Sequence, residues 1–391
     1  MKPADALSRI RVVDDIDADS LQDKSVIILG DGNVGGQLAT HLPLAGLGYL
    51  TIVDKDTVGP ENLASPAFGP GDIGKRKVDA TANWVAEHAP WTRVDPVHAD
   101  LRVDLPESIF ALHDAVIAVT DSWSSRGHIN RWAHRLPGRV RAVINGGLVD
   151  GLSWDVTTSE PGSGTGCIQC LHGEEMLNAD EEGGCGLLAP VGERRPNPST
   201  GFSGAAVAAI MAAEAVSALA GSGPRFAGKM LSFDHRTASV GVFRIVPDDG
   251  CSGHRPLVDG VDAVFLPMSD YTLEEIVASV AERRGVRESD VTLSSERELV
   301  LGMTCGACGH DADVWRPLLT IREQGGVNCT RCGSPAAELQ TDTALPRDGR
   351  RLPDIGFPVG KALLAYVRGC KFEVVQLEEE VFNEQAHRSD S

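Results

Sequence analysis

A buried strand that leads through a glycine-rich turn into a helix is the feature that most constrains this chain. The run Ser25–Gly30 has the composition of a buried parallel strand, and an apolar stretch of helical period follows at Val34–Leu47. The turn between them fits the pattern G-x-G-x-x-G at Gly30, Gly32 and Gly35. Such a turn lets backbone amides and a helix N-terminus approach a phosphate, and Asp54, after the next strand, can accept from ribose hydroxyls. The pattern predicts a nucleotide-binding βαβ unit, and alone it also fits a nicotinamide dehydrogenase.

Strands and helices alternate along the first part of the chain. Further strands are predicted at Tyr49–Val53, Val94–Val97, Asp114–Val119, Arg141–Asn145 and Ser153–Thr157, and helices at Lys75–Ala86 and Phe202–Leu219. Two later apolar runs, Leu231–Phe233 and Val240–Ile245, are typical of an antiparallel pair. The alternation predicts an α/β fold over residues 1–255, with a doubly wound, Rossmann-like, mostly parallel sheet and late antiparallel strands.

The rest of the chain divides by composition. Residues 173–203 are polar and rich in Gly, Pro and Glu, and we expect them to form a long crossing loop within the core. Residues 256–300 are predicted to be a connector with a short amphipathic helix, Tyr271–Arg284. We expect a small zinc-ribbon module at 301–340 and a C-terminal extension and tail at 341–391.

The charge balance restricts the partners. The chain has 36 Lys and Arg against 55 Asp and Glu, a formal net charge of −19. Binding to nucleic acid or to an anionic membrane depends on clustered Lys and Arg, so neither is expected. The apolar stretch Gly204–Gly221 carries Glu214 in its middle and is predicted to be a packed helix, not a membrane span. No signal peptide is visible in residues 1–19, so we expect a cytoplasmic protein.

Six of the nine cysteines form three C-x2-C pairs, which in a reducing compartment indicate metal binding before disulfides. Two of these pairs, near the C-terminus, predict a zinc ribbon with the ligands Cys305, Cys308, Cys329 and Cys332. Gly306 and Gly333 are expected to allow the two tight turns, and His310 is an alternative ligand. Because the surroundings are acidic, we expect this module to dock or scaffold rather than to bind nucleic acid.

An ordered series of polar motifs follows the glycine turn. The motifs are Asp54-Lys-Asp56, Asn62-Leu63, Gly74-Lys-Arg-Lys77, and Thr120-Asp121 with Arg126 and Asn130. In this order they resemble the ubiquitin-activating-enzyme superfamily, the ThiF/MoeB/HesA adenylyltransferases, over roughly residues 7–255. The resemblance implies adenylation of a carboxylate by ATP, with catalysis by positioning and charge neutralisation.

The resemblance also implies roles for these residues. Asp54 would hold the ribose, Asn62 and Lys77 would contact the triphosphate, and Asp121 would bind magnesium. Asp56 and Arg126 belong to the same pocket, although Arg126 could equally be structural. Arg9 resembles an N-terminal arginine that reaches across a dimer, which implies a homodimer.

One residue departs from the family pattern. Ser65 stands where the family usually has an arginine, so this loop supplies less positive charge to the phosphates. Lys55, Lys75, Arg76 or an arginine from a partner subunit could substitute.

The remaining cysteines are assigned partly through the resemblance. A second zinc site, of three thiolates and one imidazole, is implied by Cys167, Cys170, Cys251 and His254. Cys185, on the crossing loop, is similar in position to the cysteine that receives the C-terminus of a carrier protein in sulfur-carrier-activating relatives. Its alternative is a bystander cysteine, and Cys370 is expected to be a core residue.

The sequence therefore predicts ATP-dependent activation of the C-terminal glycine of a ubiquitin-like or sulfur-carrier protein. Thioester or acyl-disulfide formation at Cys185, or direct delivery to an external thiol or sulfide, would follow, with a separate conjugating or sulfur-donor protein downstream. The cofactors implied are ATP, magnesium and two zinc ions per chain. Activation of a ribosomal peptide in natural-product maturation is an alternative within the same chemistry. A non-catalytic scaffold that carries zinc is the alternative outside it.

Overall fold

The computed structural model describes residues 7–178, 198–221 and 223–383. The chain forms two compact units. The first comprises Met1–Arg102 and Phe110–Pro256, and the second comprises Val103–Ile109 and Leu257–Ser391. The short segment Val103–Ile109 therefore belongs to the second unit although its flanking residues belong to the first.

The first unit is built on an eight-stranded sheet with the order β3-β2-β1-β4-β5-β6-β7-β8. Its strands are β1 Ser25–Leu29, β2 Tyr49–Val53, β3 Arg93–Val97, β4 Ala115–Ala118, β5 Ala142–Leu148, β6 Trp154–Ser159, β7 Lys229–Asp234 and β8 Ser239–Arg244. Strands β1 to β5 are parallel, and β6, β7 and β8 continue the sheet antiparallel. This architecture confirms the predicted α/β fold with its late antiparallel strands.

Five helices belong to the first unit within the described residues. They are α1 Asn33–Leu44, α2 Lys77–His88, α3 Trp123–Arg135, α4 Ile168–Asn178, which is kinked at Gly173, and α5 Gly201–Ala220. Helices α1 and α5 belong to one hydrophobic core with the central strands. Burial of these apolar faces drives the packing of helix on sheet.

Helix α5 is the one helix among the described residues that is long and apolar enough to cross a membrane. Of its most apolar window, 67% is buried inside the protein, and a core helix passes the same test. Glu214 in this helix is 1% exposed and accepts hydrogen bonds from the main-chain N–H groups of Arg225 and Phe226, at 3.1 and 2.7 Å. The helix is a packed element of the first unit.

The second unit contains a six-stranded sheet. Its strands are β9 Ala263–Pro267, β10 Val291–Cys305, β11 Asp311–Pro317, β12 Ala336–Ala344, β13 Leu363–Val367 and β14 Cys370–Leu377. The order is β11-β10-β13-β14-β9, and β12 also pairs with β10. Helix α6, Leu273–Arg284, begins with a capping box between Thr272 and Glu275 and packs into this core, and a short helix α7 spans Leu318–Glu323.

No run of residues in the sequence predicts this sheet. Strand β10 runs through the expected border between connector and zinc ribbon at residue 300, and it pairs with β11, β12 and β13. The connector, the ribbon and the extension are therefore parts of one unit and not three modules in series. Cys370, expected in the core, is exposed, because it directly follows the turn between β13 and β14, where Arg368 and Gly369 have positive φ.

Candidate active site

The glycine turn after β1 is shaped by close backbone contacts. Gly30 has a φ of +104°, and a Cβ atom there would lie 3.0 Å from the Val119 carbonyl oxygen. A Cβ atom on Gly35 would lie 1.9 Å from the Gly30 carbonyl oxygen, so helix α1 begins directly against the turn. Gly32 is the N-cap of α1 and has open space around it. The turn thus presents the N-terminus of α1 at the carboxyl end of β1, as a nucleotide site requires.

Asp54, at the end of β2, is fixed against this turn. Its Oδ2 accepts the main-chain N–H of Asp31 at 2.6 Å, and its Oδ1 accepts that of Asp56 at 2.8 Å. These two bonds orient the carboxylate, and each oxygen keeps a further lone pair as an acceptor. The arrangement is suited to hydroxyl groups of a ribose.

Lys77 is the cation nearest to these acids. It is the first residue of α2, it is 7% exposed, and its Nζ lies 2.9 Å from Asp56 Oδ2. Burial by itself would lower the pKa of Lys77, but the nearby carboxylates of Asp54, Asp56 and Asp31 outweigh it, so the pKa is raised. Lys77 is therefore a permanent positive charge at the site.

The loop that carries Asn62 and Ser65 is held by its own hydrogen bonds. Asn62 Oδ1 accepts the Gly59 N–H at 2.8 Å and so caps the short 3-10 helix Pro60–Ala64. Ser65 is 1% exposed, and its hydroxyl lies so close to Gly36 in α1 that a Cβ atom there would be 2.3 Å away. Position 65 thus faces helix α1, where an arginine side chain would not fit in the same direction.

The basic residues that could replace that arginine differ in whether they already form an ion pair. Lys55 pairs with Asp100 at 2.8 Å, and Lys75 pairs with Asp72 at 2.9 Å. Arg9 and Arg76 are exposed. Within the described residues neither forms an ion pair, so both are available to an anionic ligand.

Asp121 and Arg126 lie at the start of helix α3 but have different surroundings. Asp121 is exposed, next to the N-cap Ser122, and makes no hydrogen bond within the described part of the chain. Arg126 donates to the carbonyl oxygens of Thr120 and Gly146, at 2.9 and 3.1 Å. Arg126 therefore joins the segment after β4 to strand β5, which is a structural role, and its place in the nucleotide pocket stays a prediction. Asp121 is free to bind a cation.

The first cluster of candidate metal ligands joins the start of α4 to the segment after β8. The Sγ atom of Cys167 lies 3.8 Å from those of Cys170 and Cys251, and His254 Nδ1 lies 3.5 and 3.4 Å from the sulfurs of Cys167 and Cys170. All four ligand atoms lie within 4.8 Å of one another. Tetrahedral zinc with Zn–S bonds of about 2.3 Å places two sulfurs about 3.8 Å apart, so the donors fit zinc.

Asn130 in helix α3 borders this cluster. It is fully buried, and its Nδ2 donates to Cys167 Sγ at 3.4 Å and to the Gly253 carbonyl at 3.3 Å. The main-chain N–H of Asp248 donates to Cys170 Sγ at 3.4 Å. Such bonds favour the thiolate form that a metal requires.

The second cluster lies in the second unit. Cys305 and Cys332 have their sulfurs 3.5 Å apart, those of Cys308 and Cys329 are 3.8 Å apart, and the four lie within 4.8 Å. The turns use Gly309 and Gly333, with φ of +64° and +76°; Gly306, expected to allow the first turn, has no positive φ. His310 is outside the cluster, where its Nε2 lies 3.5 Å from the Thr330 hydroxyl.

The first part of the chain matches a known protein family. A family model described as the ThiF family matches residues 6–253. The chain belongs to the ThiF family. The molybdopterin-synthase adenylyltransferase of Escherichia coli (strain K12) is 27% identical over 239 residues, which cover 60% of this chain and 88% of that protein. The SAMP-activating enzyme E1 of Haloferax volcanii is 26% identical over 266 residues, which cover 66% and 91%.

Solved structures agree on the fold of this ThiF-family protein. E. coli MccB with succinimide superimposes with a TM-score of 0.50 at 20% identity, covering 60% of this chain and 68% of that chain. PaaA gives a TM-score of 0.51 at 18% identity, covering 62% and 82%. At such identities the likeness concerns the fold alone.

Several features of the site have no clear signal in the sequence, and one remains a prediction. Cys185 lies outside the described residues, so its role as acceptor stays a prediction. Asp31 stands inside the glycine motif, where an acid is a signal in itself, but nothing near it in the sequence shows that it is buried or that Thr81 donates to it. In the sequence Asn130 is only part of a motif, because nothing near it shows that it reaches Cys167.

Proposed function

We propose that this protein is an ATP-dependent adenylyltransferase that activates the C-terminal glycine carboxylate of a ubiquitin-like or sulfur-carrier protein. The observation that carries the proposal is the joint placement of Asp54, Asp56 and Lys77 beside a glycine turn at the carboxyl end of the parallel strands. The names of the relatives, an adenylyltransferase and an activating enzyme, support the same chemistry.

The residues divide the work by their charge. Asp54 holds the ribose, and Lys77 lies where it would neutralise phosphate charge. The exposed carboxylate of Asp121 would hold magnesium, which when bound supplies further charge neutralisation for the phosphates. A carboxylate oxygen of the terminal glycine then attacks the α-phosphorus. The bond from the α-phosphorus to the bridging oxygen breaks, and pyrophosphate leaves with the electron pair.

Zinc, a partner subunit and a downstream acceptor would complete the proposed activity. Two zinc ions per chain would occupy the two clusters, for which the donor spacing is the support. Arg9, exposed and unpaired within the described residues, would complete the phosphate site of a partner subunit in a homodimer. Transfer of the activated carrier to Cys185, or to a separate conjugating or sulfur-donor protein, would follow. A cytoplasmic location fits the cysteines of the described residues, all of which are free thiols.

ATP–pyrophosphate exchange tests the activation step. The purified chain is incubated with labelled pyrophosphate, ATP, magnesium and a small carrier that ends in Gly-Gly, and the matched control is the same carrier without its terminal glycine. We expect exchange only with the intact carrier. Exchange with a ribosomal peptide but not with the carrier would mean that the peptide is the substrate. No exchange with either, while zinc remains bound, would favour a scaffold.

A further inference from the structure

A buried acid lies directly under the nucleotide site, and the proposed chemistry does not use it. Asp31, the second residue of the glycine turn, is 0% exposed. Its Oδ2 accepts the hydroxyl of Thr81 at 2.7 Å, and its Oδ1 has no hydrogen-bond partner among the residues that the structure describes. A buried carboxylate normally accepts two or three hydrogen bonds or pairs with a cation. The surroundings of Asp31 therefore stabilise its negative charge poorly.

The position of Asp31 links it to Asp54, Asp56 and Lys77. Its own N–H donates to Asp54, whose carboxylate also orients Asp56, the partner of Lys77. Thr81 lies one helical turn after Lys77 on α2, so the same helix face presents the hydroxyl to Asp31 and the ammonium group to Asp56. The acid therefore connects the glycine turn with the helix that aims Lys77.

The two strands next to the glycine turn and the helix that follows it carry few ionisable residues. Strands β1 and β4 carry no ionisable residue, and in α1 the one ionisable residue is His41, in the last turn. The charges that act on Asp31 are Asp54, which raises its pKa, and Lys77, which lowers it. Burial is the largest cause and raises the pKa of Asp31 to about 7. Three acids thus face one lysine.

Nucleotide binding would increase this imbalance. The phosphates of ATP bring further negative charge to Lys77, and the bound nucleotide excludes water from the turn, so both effects disfavour an ionised Asp31. We infer that Asp31 takes up a proton from solvent when the nucleotide binds, and that this protonation sets the pH range in which the protein binds ATP. The inference rests on the proposed binding of ATP at this site.

Calorimetry of magnesium–ATP binding in two buffers of different ionisation enthalpy tests the inference. For the wild type we expect net proton uptake and a dissociation constant that rises by up to about tenfold between about pH 6 and about pH 8. Asp31→Asn is the matched control, because the amide has the same shape and cannot titrate. Its residual pH dependence and residual proton exchange report the phosphates of the ligand, and the additional proton uptake assigned to Asp31 should be absent.

A second variant keeps the inference testable if Asp31→Asn does not fold. Thr81→Val removes the hydroxyl that stabilises the ionised form, so the midpoint of the pH dependence should move to higher pH. Wild-type binding without proton uptake, or with the same pH profile as Asp31→Asn, would overturn the inference and leave the proposed function intact. If the wild type bound no ATP at any pH, the proposed function would fail and this inference with it.

Discussion

Removal of the ammonium group of Lys361 should destabilise the second unit strongly. The Nζ of Lys361 lies 2.7 Å from Glu107 Oε1 and donates to the Leu105 carbonyl at 3.2 Å. The Oε2 of Glu107 accepts the Ala362 N–H at 2.7 Å. The two charged side chains are 8% and 2% exposed. The pair therefore fixes Val103–Ile109 in the unit to which it belongs.

The size of the effect follows from this burial. Loss of one partner of a buried ion pair costs about 3–5 kcal/mol, because the other charge stays in a poorly solvating environment. Lys361→Met keeps the apolar stem and removes only the charge, so a cavity adds little. Burial already raises the pKa of Glu107, and Lys361 opposes that rise. Without Lys361 the pKa rises further, so the stability lost by the variant should be smallest at low pH, where Glu107 is protonated.

Hydrogen exchange read by mass spectrometry is the suitable assay, because it reports each unit separately. In Lys361→Met the amides of β13 and β14 should lose roughly two to four orders of magnitude of protection, with little change in β1 and β2. The double variant Glu107→Gln/Lys361→Met should regain most of this protection, since no buried charge remains. Unchanged exchange in the single variant would refute the reasoning, and so would a double variant as unstable as the single one.

Three further predictions concern the first unit. Lys77→Met should lower ATP–pyrophosphate exchange by about 10²- to 10³-fold, whereas Lys229→Met, which changes an exposed lysine in β7, should not, and equal rates would contradict the role of Lys77. Asn130→Ala should accelerate zinc loss from the first cluster to a chromogenic chelator by about 10- to 100-fold, and an unchanged rate would contradict its support of Cys167. Because the folded chain raises the pKa of Asp31 from 3.8 to about 7, the stability gained from its protonated form is lost as the pH rises through that range. Relative to Asp31→Asn, the wild type should therefore lose up to about 4 kcal/mol of unfolding free energy between about pH 4 and about pH 7. Urea denaturation at several pH values measures this, and the same pH dependence of the unfolding free energy in both proteins would contradict the buried acid.

The first unit could be predicted from sequence because its signals are local. After Ser25, strand β1 is an uninterrupted apolar run, and the glycines follow it directly. The apolar, Ala-rich composition of helix α5 already indicates that it is buried. The C-x2-C pairs likewise predict all four ligands of the second cluster and two of the first, whose Cys251 and His254 are implied only by the resemblance. The fold brings the ligand atoms of each cluster within 4.8 Å of one another. These patterns depend on neighbours in the sequence, and so they can be read without the fold.

The second unit depends on contacts between distant residues. Strand β10 keeps no regular alternation of polar and apolar residues and contains Ser295-Glu296-Arg297-Glu298, which has no strand signature of its own. Its pairing with three other strands is what makes it a strand. The ion pair of Glu107 with Lys361 joins residues far apart in the chain, and nothing near either residue points to the other. For the same reason Asp31 could be seen as an acid in a turn but not as a buried one.

The measurement that tests the central claim most directly is the intact mass of the carrier protein. The purified chain is mixed with ATP, magnesium and a small protein that ends in Gly-Gly, and the products are separated without reducing agent. The account predicts a carrier heavier by one adenylate, absent with Lys77→Met and absent when the terminal glycine of the carrier is removed. An unmodified carrier, under conditions in which ATP binds and both metal clusters are filled, would contradict it.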